Sequence, residues 1–319
     1  PWVAYRQFCR HFIAPLALMS YTDPTLNNLL RLDVEGVRLD LASRLLPKRT
    51  WAKFGLLSHL HLLAAAERRY APTKKTDASD NANRNRLRVS AAGMRALVEN
   101  IEKTVQDFQC PRIATAWADY YKTDAYAEES KSRKAERIDT WLTQHPARMI
   151  WDLGANTGLY SRIAAKHAAV TVAMDIDWGC VEANFRACKD DRVDGIVPLW
   201  MDLTNPSPAI GWALQERASL VERGPADVVM ALALMHHLAV GNNVPFRRLS
   251  EFLRTVGRRL IIEFVPKDDP QTQRLLRSRQ DIFGDYTQTA FENEFGRHFR
   301  ILDSEPLPDT GRVLYFMEA

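Results

Sequence analysis

The sequence predicts an α/β fold: a mostly parallel sheet ending in an antiparallel hairpin, preceded by a mainly helical domain. Three observations carry this. Helical periodicity without strand alternation fills the chain up to about Arg148; short apolar strands alternating with helices follow; the last two strands face each other across one turn, Pro306–Gly311. Strands that alternate with helices imply a parallel sheet covered on both faces. The change of character divides the chain into a helical domain, 1–145, and a sheet domain, 146–319.

Composition bounds the function classes. A chain of 319 residues, 46% hydrophobic and 26% charged, is neither a disordered tail, a collagenous fibre nor a disulfide-stapled miniprotein. Its 43 basic and 39 acidic residues leave +4, too small an excess to point by itself to nucleic acid. The longest apolar runs, such as Val228–Met235, fall well short of the roughly twenty residues of a membrane helix. No membrane partner is expected. Cys9, Cys110, Cys180 and Cys188 form no C-x-x-C pair and read as small apolar side chains in a reducing, cytoplasmic compartment. Pro1-Trp2-Val3-Ala4-Tyr5 has no basic run leading into an apolar one, so no secretory signal is expected. A start at Pro points to a fragment or trimmed product.

In the helical half, Trp2, Tyr5, Phe8, Cys9 and Phe12 recur at three- and four-residue steps, the mark of one helix face. Leu41, Leu45 and Leu46 repeat the pattern until Pro47 stops it. A helix is expected over Trp51–Arg69, where His59 and His61 stand two apart, point to different faces and cannot share a metal. No metal site is expected anywhere. Tyr70–Arg88, poor in apolar residues, reads as a loop. Helices resume over Ser90–Phe108 and Arg133–Thr143.

In the sheet half, strands are expected at Met149–Trp151, Val170–Met174, Ile196–Met201, Asp227–Leu234 and Leu260–Val265, then at Phe299–Ser304 and Arg312–Met317. The first runs into Asp152-Leu153-Gly154-Ala155-Asn156-Thr157-Gly158 and a helix. Its glycines allow a tight turn and close approach to a ligand. The dinucleotide fingerprint G-x-G-x-x-G is not met. A pyrophosphate wants bare backbone N–H groups at a helix N-terminus, whereas a carboxylate such as Asp152 favours a ligand with positive charge. Asp175 ends the second strand, 23 residues after Asp152, near the roughly 20-residue offset at which an acid reaches a ribose. Asp202 ends the third. Each acid alone reads as a helix cap or a solvated residue. Together they fall on the carboxyl edge of adjacent strands, where open α/β sheets bind ligands.

These motifs, with Ala231-Leu232-Ala233-Leu234-Met235-His236-His237-Leu238, resemble those of class I S-adenosyl-L-methionine-dependent methyltransferases, whose sheet is a seven-stranded Rossmann-like fold with a C-terminal hairpin. Met201-Asp202-Leu203-Thr204-Asn205-Pro206-Ser207-Pro208 and Glu263-Phe264-Val265-Pro266-Lys267 narrow the resemblance to bacterial methyltransferases related to the nodulation protein NoeA. The segment Val37-Arg38-Leu39-Asp40-Leu41-Ala42-Ser43-Arg44-Leu45-Leu46-Pro47 is similar to that group too. The resemblance implies that Asp152, Gly154, Ala155, Asn156 and Gly158 cradle the methionine moiety. Asp175 with Ile176 would hold the ribose, Asp202 with Leu203 the adenine, and Ala231 with Leu232 would line the cofactor. Leu232 stands where many family members carry a polar residue.

Methyl transfer from a sulfonium is largely a matter of positioning, but a hydroxyl or protonated amine must also lose a proton. Histidine, with a pKa near neutrality, suits that task. Adjacent residues leaving a strand point in opposite directions, so His237 is expected on the acceptor side and His236 packed beneath, with Glu263 beside them. The expected activity is methyl transfer to a small-molecule or glycan-like acceptor. RNA or protein methylation, with the helical half as a docking surface, and non-catalytic binding of S-adenosylmethionine are the alternatives.

Overall fold

The computed structural model describes residues 3–69, 90–110, 128–277 and 279–319. The expected loop Tyr70–Arg88 and the side chain of Trp2 lie outside them. The chain forms two compact units, Pro1–Arg112 with Ala209–Arg217, and Ile113–Pro208 with Ala218–Ala319.

The first unit is helical. Its opening helix, Val3–Phe8, continues through a π-helical stretch at Cys9–Ile13 into Ala14–Tyr21. The wider π turn shifts the buried stripe by one residue. Ile13 is therefore buried, and Phe12, expected on the apolar face, is 53% exposed. The next helix, Leu39–Leu45, buries Leu39 and Ala42, with Leu46 following them, while Leu45 faces water. The residue before Pro47 is extended, as the proline ring requires. Between Trp51 and Arg69 the single expected helix is broken into a 3-10 turn, a π turn at Leu57–His61 and a helix, Leu62–Arg69. His59 and His61 are both buried and pair with different partners. His59 bonds the Tyr5 hydroxyl at 2.7 Å and Asn100 at 2.6 Å; His61 bonds Ser43 and Thr50, each at 2.9 Å. Packing and hydrogen bonding account for both histidines.

The second unit is built on a seven-stranded sheet in the order β3-β2-β1-β4-β5-β7-β6. The strands are β1 (Ala147–Leu153), β2 (Ala168–Asp175), β3 (Ile196–Trp200), β4 (Ala226–Ala231), β5 (Gly257–Phe264), β6 (Arg300–Pro306) and β7 (Val313–Glu318). The first five pair in parallel, and β7 runs antiparallel to both β5 and β6. Central strands read as continuous apolar runs because both of their faces are covered. Val229, Leu260 and Ile262 face one side, with Phe291 and Phe295; Val228, Met230 and Ile261 face the other.

That other side is covered by the helix Glu128–Gln144, through Ile138, Trp141 and Leu142. This helix therefore belongs to the sheet unit, although the sequence pattern placed it before the boundary at 145. Strand β4 also differs. It leaves the sheet at Ala231, three residues before the expected Leu234, because Ala233 takes a left-handed backbone with φ +49°.

The order reverses at β1, which has β2 on one side and β4 on the other. Such a reversal opens a crevice at the carboxyl ends of the strands. The turn leaving β1 is shaped by Gly158, at φ +81°, where an added Cβ would run into the buried Asn184 side chain. Gly158→Ala is expected to lower stability by about 1–3 kcal/mol, from both backbone strain and overpacking. Chemical denaturation measures this, and an unchanged midpoint would contradict the reading.

Candidate functional site

A cleft of about 230 Å³, open to solvent, lies at that reversal point. The loops after β1, β2, β3 and β4 line it, and every lining residue comes from the sheet unit.

Each loop is fixed by local bonding. Gly154, at φ +74°, donates its N–H to the Met174 carbonyl at 2.8 Å. A Cβ at that position would sit 3.1 Å from the Leu234 side chain, so glycine lets the β1 and β4 loops meet. Asn156, also left-handed, donates its N–H to Asp175 Oδ2 at 2.7 Å. The Asp177 N–H reaches Asp175 Oδ1 at 2.8 Å. Burial pushes the Asp175 carboxyl up, and these two bonds oppose the shift. On the third loop, Asp202 Oδ1 accepts from the Thr204 N–H at 2.8 Å and hydroxyl at 2.6 Å. The Trp200 indole donates to the Ile176 carbonyl at 2.7 Å and ties the second loop to the third.

Of the residues singled out in the sequence, Gly154, Asn156, Asp175, Ile176, Asp202, Leu203, Leu232 and His237 line the cleft. Asp152, Ala155, Gly158, Ala231, His236 and Glu263 are buried and do not. Asp152 accepts from the Ser161 hydroxyl at 2.6 Å, and burial raises it to about 6 against the pull of that bond and of Lys134. Ala233, Leu234, Leu238 and Asn242 line the cleft as well. Ala233 and Leu234 belong to the apolar run through the β4 terminus, which reads equally well as buried strand; Asn242, outside that run, carried no signal.

The histidines are placed by a helical turn, not by strand alternation. Met235 and His236 are helical and lead into a π-helical stretch, His237–Gly241. Adjacent side chains there splay by about 100° rather than 180°, and the two rings lie 4.1 Å apart. His237 faces the cleft, while His236 is fully buried with no hydrogen-bond partner on either ring nitrogen. Burial lowers both. His237 falls to about 4, with the Arg312 charge adding to the effect, and His236 drops well below its usual value. Both are neutral at neutral pH.

Glu263, expected beside them, is held in an ion cluster. Its Oε2 accepts from Lys134 Nζ and from the Ala233 N–H at 2.9 Å, and its Oε1 from Arg312 at 3.2 Å. Arg312 in turn grips both oxygens of Asp269, at 2.6 and 3.1 Å. Neither Lys134 nor Arg312 carried a sequence signal, since each stands among other charged or polar residues. Among the described residues no group of three or more His, Cys, Asp or Glu is placed to hold a metal ion.

Five parallel strands, an antiparallel β7 beside β5 and a cleft where β1 meets β4 define the class I S-adenosylmethionine-dependent methyltransferase fold. The chain is a homologue of the nodulation protein NoeA of Rhizobium meliloti (strain 1021), 32% identical over 320 residues. That match covers 99% of this chain, which spans 66% of the length of the relative. No family model matches the chain.

Solved structures with a similar sheet include a methyltransferase from Aquifex aeolicus (13% identical, 65% of this chain and 100% of that one, TM-score 0.45). Magnesium protoporphyrin IX methyltransferase from Synechocystis PCC 6803, with S-adenosylmethionine bound, is 16% identical over 66% of this chain and 87% of its own (TM-score 0.42). The N-methyltransferase NodS from Bradyrhizobium japonicum WM9, with S-adenosylhomocysteine, is 11% identical over 64% and 93% (TM-score 0.43).

The buried histidines make stability depend on pH. Their folded values lie below the ordinary 6.5. Between about 4 and 6.5 the unfolded chain therefore binds more protons than the folded one, and stability falls as pH falls. Asp152, held above its ordinary 3.8, acts in the opposite sense up to about 6. His236→Leu removes two orphaned polar atoms and one of these proton acceptors. It should raise stability by roughly 1 kcal/mol or more, and by more at pH 5 than at pH 7. Thermal midpoints at the two pH values measure this; no gain at either would refute it.

Proposed function

We propose that the chain binds S-adenosylmethionine in the cleft and transfers its methyl group to a small-molecule or glycan-like acceptor. The charge of the cleft carries the reading: Asp175 and Asp202 line it, with no Lys or Arg among the described residues that do. A pyrophosphate would meet two carboxylates and no cation. A ligand bearing an ammonium and a sulfonium meets complementary charge.

The residues present fit such a ligand. Each Asp175 oxygen receives one backbone N–H and keeps a lone pair, so the pair can accept from vicinal ribose hydroxyls. Asp202 has one oxygen committed to Thr204, and its second can accept from an exocyclic amine. Ile176 and Leu203, each next in the chain after one of these acids, supply apolar surface to the cleft. Bound there, S-adenosylmethionine supplies an electrophilic methyl group on a cationic sulfur. The chain's own task is then to hold an acceptor atom in line and at near-attack distance. His237, neutral and on the cleft wall, can accept a hydrogen bond from a hydroxyl or amine and aim its lone pair. With a value of about 4 it is a weak base. We assign the helical unit, which adds no residue to the cleft lining, to acceptor selection.

Calorimetry is expected to detect S-adenosylmethionine and S-adenosylhomocysteine binding, and no NAD binding. Asp175→Ala should weaken the former by roughly 1.5–3 kcal/mol, the usual loss for a bond to a charged group. NAD binding with no response to S-adenosylhomocysteine would sink the proposal.

A second expectation concerns His237. His237→Ala should lower turnover about 10²-fold, the loss expected when an acceptor is misplaced, with little change in cofactor affinity. Because His237 stays unprotonated down to about 4, it imposes no decline in rate between pH 5 and pH 8. Single-turnover rates across that range decide the matter. A His237-dependent step near pH 6.5 would contradict it.

A further inference from the structure

We infer that Glu263 is a positioning residue, anchored by Lys134 and Arg312, whose task is to fix the backbone turn after β4 that forms one wall of the cleft. This rests on the reading of the cleft as the S-adenosylmethionine site.

The turn needs holding. Ala233 has φ +49°, a left-handed conformation that costs energy for any residue with a Cβ. Strain of this kind persists only where the surroundings over-determine it. Here the restraint is the Ala233 N–H donated to Glu263 Oε2 at 2.9 Å. The next residues inherit the geometry. Leu234 packs where Gly154 leaves room, and its carbonyl accepts the His237 N–H at 3.0 Å. One carboxylate oxygen thus sets the wall, the contact with the β1 loop and the direction of His237.

The rest of the cluster keeps that oxygen in place. Lys134 reaches it from the helix Glu128–Gln144, with its ammonium 4.5 Å from the Tyr160 ring centroid. Arg312 bonds the other oxygen from the edge of the hairpin and is clamped in turn by Asp269. Among the described residues, the two cations Lys134 and Arg312 meet the two carboxylates Glu263 and Asp269. A buried ion cluster is weak evidence for stability, since well-packed apolar residues often serve as well. Its connection to a strained, cleft-lining amide gives this one a task that an apolar replacement would not perform.

The test compares two double variants of the full chain, Lys134→Met/Glu263→Gln and Lys134→Met/Glu263→Met. Both remove the Lys134–Glu263 charge pair and leave Arg312 with Asp269; only the first keeps an acceptor for the Ala233 N–H. The readouts are the S-adenosylhomocysteine dissociation constant and hydrogen exchange at the Ala233 amide. The glutamine variant should bind within about threefold of the parent. The methionine variant should bind about tenfold or more weakly and exchange at Ala233 about tenfold faster, as expected for a buried donor left without its acceptor. Equal affinities and equal exchange in the two would overturn the inference. If the parent chain itself fails to bind S-adenosylhomocysteine, the cofactor reading falls, and the exchange contrast alone still decides the role of Glu263. Should the methionine variant not fold, Ala233→Gly is added to it. Glycine takes the left-handed backbone without penalty, so recovered folding supports the role and continued failure overturns it.

Discussion

The carboxylate of Glu263 is the point on which the sheet unit turns. It sits on β5 with no exposure to water, so its charge must be matched within the protein. The match comes from Lys134, on the helix ahead of the sheet, and from Arg312, at the start of the last strand. The bond to Ala233 carries the same restraint to the cleft. A helix, a central strand, a hairpin and a loop, far apart in sequence, are brought to one buried centre. Separating the helix Glu128–Gln144 from the sheet would leave Glu263 to an Arg312 that Asp269 also holds, an imbalance of buried charge that adds to the loss of apolar contacts.

The architecture was legible because it is written in period and length. Apolar runs too short for helices, alternating with 3.6-residue patterns, place all seven strands in order. The Pro306–Gly311 turn makes the final pair a hairpin. The acids Asp175 and Asp202 were legible because they stand at strand ends, and parallel strands bring such ends to one edge whatever the details of packing. Strand termini were less visible. Nothing in Ala231-Leu232-Ala233-Leu234 marks where the strand stops, since a left-handed alanine carries no compositional sign.

Charge partners and helix type escaped for a related reason. Lys134 lies in a run of charged residues that reads as a solvated face, and only the depth of Glu263 beneath it draws that lysine inward. Likewise the π turns at Cys9–Ile13 and His237–Gly241 follow from tertiary packing, not propensity. Each rotates the residues after it by a fraction of a turn. Within the first, the shifted stripe leaves Phe12 in water, and at the start of the second His236 and His237 splay as helical neighbours. His236 is buried and His237 lines the cleft, and strand alternation is not the cause of that difference.

The electrostatics of the cleft follow from layering. Lys134 and Arg312 lie buried behind the wall, compensated by Glu263 and Asp269. In front stand Asp175 and Asp202, facing the open space. His236 and His237 are kept neutral by burial first, and the charge of Arg312 adds to it. Had either histidine been protonated, its charge would oppose a cationic ligand at close range in a medium that screens poorly. The same burial that makes His237 a weak base thus preserves the negative character of the cleft. Under the proposed function, orientation of the acceptor by a neutral imidazole and attraction of a positively charged donor would both follow from that one desolvated pair.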